Sequence, residues 1–246
     1  MYQLYIANKN YSSWSLRPWL LMRELNIAFD ERFVAFESAG SFTKFRSFSP
    51  SGLVPCLQDG DTIVWDSLAI TEYLAERHSG VWPEDAKVRA WARSVAAEMH
   101  SGFSALRSRC SMNCGIRVRL FEMPAALKRD LARLCELWSE GLQRFGGPFL
   151  AGPRFTALDA FFAPVAFRIQ TYGLDLGSLA NAYAARLRDL EPMREWYASA
   201  LAETERDCAH EEEAKGVGAW LADLRAAPSS VPDSTSSVGS GVEHGQ

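Results

Sequence analysis

The chain has 246 residues, 48% of them apolar, and a formal net charge of −4. Such a length fits one large domain or two small ones, with apolar content enough for a sizeable core. The acidic balance leaves no footprint for nucleic acid, and no apolar run reaches the roughly 18 residues of a membrane helix. Met1-Tyr2-Gln3 opens the chain without a basic and then apolar leader. Five cysteines (Cys56, Cys110, Cys114, Cys135 and Cys208) make an odd count that suits reduced thiols, so a cytoplasmic setting is expected.

Residues 2–7 alternate, with Tyr2, Leu4 and Ile6 on one face, and read as a strand. Asn10 to Trp19 follows, with Ser12, Ser13 and Ser15 ahead of an apolar helical pattern ending near Asn26. Pro18 is tolerable in the first turn of a helix, so the helix is predicted from about Ser15 to Leu25. A helix start leaves N–H groups unpaired and favours negative charge. The serines therefore read either as plain caps or as donors to a thiolate, phosphate or carboxylate.

Phe29 to Phe36 reads as a second strand and Phe42 to Phe48 as a short helix, closed by the turn Ser49-Pro50-Ser51-Gly52. Leu53 to Gln58 and Thr62 to Trp65 flank Asp59-Gly60-Asp61, the pattern of a hairpin. Pro55 marks an edge or strand start and is a candidate cis proline. Ser67 is the expected N-cap of an amphipathic helix over Leu68–Leu74. The order is βαβ, a short helix, then ββα: a mixed four-stranded sheet with helices on it, which resembles the thioredoxin arrangement. Residues 1–78 are thus expected to form an α/β N-terminal domain and residues 79–85, with Ser79-Gly80-Val81-Trp82-Pro83, a linker.

Residues 86–227 have helical periodicity and are expected to form an all-α domain. One continuous stripe runs from Val88 to Leu106, and Pro124 opens a second long helix ended by Gly146-Gly147-Pro148. Thr156-Ala157-Leu158-Asp159 has capping-box spacing ahead of a nearly all-apolar segment that should be buried. Shorter helices are expected near Leu179–Tyr183, Leu187–Leu201 and Glu211–Leu224. Residues 228–246 are too polar to support a core and are expected to be disordered.

Four motifs in this order make the chain resemble the cytosolic glutathione S-transferase family from residue 1 to about 205: Ser12-Ser13-Trp14-Ser15, the segment Ser49 to Pro55, Asp66-Ser67, and Thr156 to Asp159. The first is most similar to the zeta and related serine-type bacterial transferases, which often carry Cys where this chain has Trp14. The resemblance implies a glutathione cosubstrate, no metal, and a thiolate that attacks a small electrophile by conjugation or glutathione-assisted isomerisation. It implies Ser12 as the hydroxyl facing the sulfur, with Ser13 as its rival and Trp14 beside them. Val54, ahead of Pro55, would pair with glutathione like an added strand, Asp66 and Ser67 would hold its γ-glutamyl end, and Lys44 or Ser41 its glycyl carboxylate. Arg17 reads as a supporting or surface residue. Met99, Phe103, Met112 and Tyr172 are candidates for the electrophile site, with core packing the competing reading. Family members are usually homodimers, which is carried over as an expectation.

Other chemistries find less support. Ser12 to Ser15 has the spacing of a Cys-x-x-Cys motif but holds no cysteine. Cys110 and Cys114 lack the partners of a metal site, and His78, His100, His210 and His244 suggest no hydrolase triad. Arg107, Arg109, Arg117 and Arg119 read as a solvated face or as an attractor of an acidic electrophile. The alternatives to a transferase are a glutathione-dependent reductive dehalogenase or etherase and a non-catalytic binding protein of the same fold.

Overall fold

The computed structural model describes residues 1–37 and 40–227; the expected disordered tail, 228–246, lies outside the described residues. Strand β1 (Tyr2–Ile6) leads into helix α1 (Ser13–Glu24) and strand β2 (Phe29–Phe33), which pairs parallel to β1. A one-turn helix α2 (Phe42–Phe45) precedes the hairpin β3 (Cys56–Asp59) and β4 (Thr62–Trp65). The sheet order is β2-β1-β3-β4, with β3 antiparallel to both neighbours. Helix α3 (Ser67–Ala75) closes this part, and the next helix, α4, begins at Ala86 (Ala86–Ser101).

The remainder is α5 (Ser104–Arg109), β5 (Ile116–Leu120), α6 (Ala125–Phe145), α7 (Ala157–Tyr172), α8 (Ser178–Asp189), α9 (Glu191–Ala202), α10 (Cys208–Val217) and β6 (Gly218–Asp223). Helix α7 is buried along nearly its whole length, as its apolar composition demands. Its start is a capping box: Asp159, fully buried, accepts N–H bonds from Thr156 and Leu150 at 3.0 Å each and the Tyr183 hydroxyl at 2.8 Å. Helix α1 packs on α7, so the buried apolar residues of both halves form one continuous core.

The part expected to be all-α also holds the two-stranded sheet β5–β6, and the helix expected over Leu187–Leu201 is divided between the end of α8 and α9; four further differences bear on how the chain is held. Helix α1 starts at Ser13 with Ser12 at its N-cap, so Pro18 is its sixth residue rather than part of the first turn. The lost N–H leaves the Trp14 carbonyl without its i+4 donor, which burial of Leu16, Trp19 and Leu20 offsets. The cap of α3 is Asp66, not Ser67: its Oδ1 accepts from Leu68 N at 2.8 Å and Ala69 N at 3.4 Å, and its φ of 73° is a rare conformation for a non-glycine residue. The expected stripe from Val88 to Leu106 breaks at Gly102-Phe103, where Phe103 takes φ 55° and the chain turns into α5. Residues 211–224 divide into the end of α10 and strand β6, because β6 pairs antiparallel with β5, far away in sequence.

Asp159 joins α7 to two other segments, so its removal strands four buried donors, the Thr156 hydroxyl included. Asp159→Ala should destabilise the protein by about 3 kcal/mol or more and Asp159→Asn, which keeps one acceptor, by less. Thermal denaturation checks both; equal, near-zero losses would refute the role.

Candidate active site

Helix α1 opens where the chain leaves β1, and its mouth is built from hydroxyls. The buried Ser12 hydroxyl donates to Ser15 Oγ at 2.7 Å, and Ser15 Oγ also accepts the Ala7 N–H at 3.4 Å. The Ser12 proton is therefore engaged inside the first turn. Ser13 is the first helical residue, half-buried, and its hydroxyl makes no hydrogen bond among the described residues. It lies where the helix dipole and unpaired N–H groups favour an anion.

The turn before α1 is held by distant parts of the chain. Lys9 N and Asn10 N donate to the Glu203 carboxylate at 2.5 and 3.2 Å, and Trp196 Nε1 donates to the Lys9 carbonyl at 2.7 Å. Asn10 Nδ2 donates to Asn113 Oδ1 at 2.9 Å, and Gly115 N donates to Asn10 Oδ1 at 3.0 Å. The Tyr11 hydroxyl donates to Glu211 at 2.6 Å, and its ionisation is pushed up by burial and by that carboxylate.

A cavity of about 630 Å³ opens on this turn. Ser12, Ser13 and Trp14 line one side and Val54 another. The peptide Val54–Pro55 is cis, and no main-chain hydrogen bond to Val54 is found among the described residues. The opposite wall comes from Arg107, Met112 and Arg168, and α10 adds His210 and Glu213. Asp66 stands outside this lining but is linked to it: His100 Nε2 lies 3.5 Å from Asp66 Oδ2, and its ring meets Trp14 edge-on at 5.3 Å. Ser67 is buried and its Oγ has no hydrogen-bond partner.

Residues 11–77, which carry the serine mouth, Val54-Pro55 and Asp66-Ser67, match the family model described as the glutathione S-transferase N-terminal domain. The chain belongs to the glutathione S-transferase family. A probable maleylacetoacetate isomerase of Caenorhabditis elegans is 26% identical over 182 residues, 70% of this chain and 81% of that protein. Among solved structures, a Burkholderia glutathione transferase homolog with bound glutathione superposes with a TM-score of 0.60 at 22% identity, over 81% of this chain and 97% of that one. A maleylacetoacetate isomerase of Methylobacterium extorquens, solved with malonate and glutathione, superposes with a TM-score of 0.58 at 23% identity, over 80% and 95%. The two solved structures share the fold.

Within this transferase fold two arginines, Arg107 and Arg168, line the cavity against one carboxylate, Glu213, and a third, Arg17, stacks on Trp14 outside the lining. The Trp14 ring has the Arg17 guanidinium 4.2 Å and the Arg107 guanidinium 4.4 Å from its centre. Arg17 is buried, not a surface residue, and its Nε and Nη1 are unpartnered; burial, Arg107 and Arg168 press its ionisation down to about 9. Arg168 is likewise buried with Nε unpartnered, brought down to about 10 chiefly by burial. All three arginines remain charged at neutral pH. None forms an ion pair with a carboxylate among the described residues. His100 is held below its ordinary value by burial and then by Arg17 and Arg107, against the pull of Asp66.

Several sequence candidates lie elsewhere. Lys44 forms an exposed ion pair with Glu37 at 2.9 Å and does not line the cavity, because α2 is a single turn that points it outward. Met99 and Phe103 are buried in the core cluster, and the buried Tyr172 donates its hydroxyl to the Ser111 carbonyl at 3.0 Å; of the four electrophile-site candidates only Met112 reaches the cavity. Arg109 pairs with Glu122 at the surface and Arg117 reaches Tyr197, so Arg107 alone of that basic cluster faces the cavity. Tyr11, Phe36, Arg168, His210 and Glu213 are cavity residues that the sequence did not single out as such. Among the described residues no group of three His, Cys, Asp or Glu side chains is arranged for a metal ion.

The wall from α10 depends on Arg225, whose nearly inaccessible side chain donates to Glu211 at 2.6 and 3.0 Å, to Asp223 at 2.6 Å and to the Tyr11 hydroxyl at 3.0 Å. Only a glycine fits beside it: a Cβ on Gly115 would stand 2.2 Å from Arg225 Cγ. Arg225→Met should cost about 3 kcal/mol by leaving Glu211 unpaired. Limited proteolysis should then cut residues 203–225 well below the melting transition; protection equal to the unmodified protein would refute this.

Proposed function

We propose that the protein is a glutathione transferase that activates the glutathione thiol on its N-terminal sheet domain and presents the thiolate to an electrophile in the arginine-lined cavity. The observation that carries this reading is the free Ser13 hydroxyl at the mouth of α1, beside an unpaired Val54 peptide edge on one cavity. A cysteine thiol titrates near about 8.5, so lowering it by about two units requires about 2.7 kcal/mol of preference for the thiolate. A charge-assisted hydrogen bond supplies about 1.5–3 kcal/mol and a helix N-terminus about 0.3–1 kcal/mol, which together reach that magnitude. Ser13 is the donor in this reading, and Ser12, engaged with Ser15, orients the turn.

The Val54 edge can accept the cysteinyl backbone of glutathione as an added strand. Ser67, whose buried Oγ is unpartnered at the start of α3, suits the γ-glutamyl carboxylate, with Asp66 against the amino group. Trp14 borders the sulfur, and Met112, Arg107 and Arg168 border the electrophile. The uncompensated arginines favour an electrophile with an anionic group. Together with relatives named maleylacetoacetate isomerases, they favour glutathione-assisted isomerisation of, or addition to, an organic acid.

The proposed organisation has a glutathione-binding domain over residues 1–78 and a helical domain over 86–227. No described helix is long and apolar enough to cross a membrane. Reduced cysteines support a cytoplasmic setting, and the exposed Ile63 and Trp65 on β4 support a homodimer formed through the sheet domain.

Glutathione should be retained and should raise the melting temperature in proportion to the logarithm of its concentration. Ser13→Ala should lower turnover of a general aryl halide or unsaturated acid about 10–100-fold at saturating glutathione, the loss of one charge-assisted bond. Ser12→Ala should act less. No thermal shift with glutathione, or a Ser13→Ala enzyme at full rate, would overturn the reading.

A further inference from the structure

His210 lies on the cavity wall, and the transferase chemistry above assigns it no task. It stands three residues after Asp207, which caps α10 by accepting the His210 main-chain N–H at 3.1 Å. The same Oδ1 lies 2.7 Å from His210 Nδ1. A carboxylate can only accept there, so Nδ1 carries a proton, and in the neutral ring it is Nε2 that presents the lone pair. Nε2 makes no hydrogen bond among the described residues. The ring packs nearly parallel to Tyr11, with centres 5.0 Å apart and planes at 25°, and also against Phe36 at 5.5 Å.

This placement is held on every side. The next residue, Glu211, is fixed by Arg225 and Tyr11, so α10 is tied to the turn that carries Ser12 and Ser13. The charged groups around His210 are Asp207, Glu211 and Glu213 on its own helix, the Tyr11 phenol from the β1–α1 turn and Arg225 after β6. Arg107 and Arg168 stand in the same cavity lining. An oriented imidazole with an open nitrogen, paired to a carboxylate and sharing a cavity with an anion-stabilising helix mouth, is the arrangement of a base beside a nucleophile.

We propose that His210, oriented by Asp207, is the base that takes the thiol proton of bound glutathione; this rests on the transferase reading. The S–H bond breaks and an N–H bond forms at Nε2, giving an imidazolium facing Asp207. The electron pair stays on sulfur, held by the Ser13 hydroxyl. The thiolate then bonds to the electrophilic carbon. In an addition the imidazolium returns the proton to the carbon that gained the electron pair; where a halide leaves instead, the proton passes to water.

The test uses full-length His210→Gln, His210→Ala and Asp207→Asn proteins, with glutathione alone and with an aryl halide as the probe electrophile. His210→Gln should keep its glutathione-induced melting shift and lose about 100-fold in kcat at saturating glutathione, the usual worth of a positioned base. The ultraviolet absorbance of bound thiolate at neutral pH should fall with it and return at alkaline pH. Imidazole added to His210→Ala should restore part of the rate. Asp207→Asn, which keeps a capping oxygen, should show an intermediate loss and serves if the histidine variants do not fold. Full kcat and thiolate signal in His210→Gln that still binds glutathione, or full values in Asp207→Asn should the histidine variants not fold, would overturn the proposal. Absence of any glutathione shift in the unmodified protein would overturn the transferase reading itself.

Discussion

The buried turn between β1 and α1 has to find partners for its own peptide groups, and it finds them far away in the chain. A buried N–H or C=O without a partner costs about 1–3 kcal/mol, so a turn with several of them is stable only against a matching surface. Here Glu203 takes two N–H groups, Trp196 takes a carbonyl, and the Asn113–Gly115 segment closes on Asn10. The serine mouth of α1 is thus shaped by residues beyond position 110. The N-terminal sheet carries the mouth, and the helical part determines its conformation.

Arg225 extends the same constraint to the end of the described chain. A guanidinium with a nearly inaccessible side chain is tolerable only with its charge matched, and Glu211 and Asp223 match it. Burial alone would raise the Glu211 carboxyl, but bonds from Arg225 and Tyr11 hold it below its ordinary value. Strand β6 exists to close this arrangement: pairing with β5 brings the chain past Gly115, where the missing side chain admits Arg225. The α10 wall of the cavity is therefore fixed to the helix mouth by the Tyr11 hydroxyl, hydrogen-bonded into the Arg225–Glu211 ion pair, rather than by apolar packing alone.

The N-terminal half was largely legible in the sequence because its signals are local. Alternation in Tyr2–Ile6, the Asp59-Gly60-Asp61 turn and the Val54-Pro55 step each report on their own few residues, and the parallel pairing of β1 with β2 follows from the helical crossover that joins them. The Thr156–Asp159 box was legible for the same reason. The cap of α3 was misassigned by one residue, since Asp and Ser are both good caps and adjacent. Residues 218–223 carry no strand pattern of their own; their pairing with Ile116–Leu120 is a tertiary override of a weak local preference. The cavity wall was least legible. Arg168 sits in an otherwise apolar helix and His210 in an acidic one, and only the packing of α7 and α10 shows that both face the same space.

Trp14 shows how the cavity's charge is organised. An aromatic face attracts a guanidinium by about 0.5–2 kcal/mol, more when water is excluded. Between Arg17 and Arg107 the indole accepts one cation on each of two close contacts, while its edge meets His100, itself facing Asp66. A cysteine at this position offers a thiol but no π face, so both arginines would lose a stacking surface, leaving Arg107 its bonds to the His100 and Gly102 carbonyls and Arg17 its contact with the Phe161 ring. Arg17, with two unpartnered nitrogens, is the group least able to be buried without that stacking. The large residue next to the serines is thus coupled to the positive potential of the cavity. In the proposed arrangement the indole that borders the sulfur also stacks on Arg107 in the cavity wall, so one side chain links the place of the nucleophile to the charge that would meet an anionic electrophile.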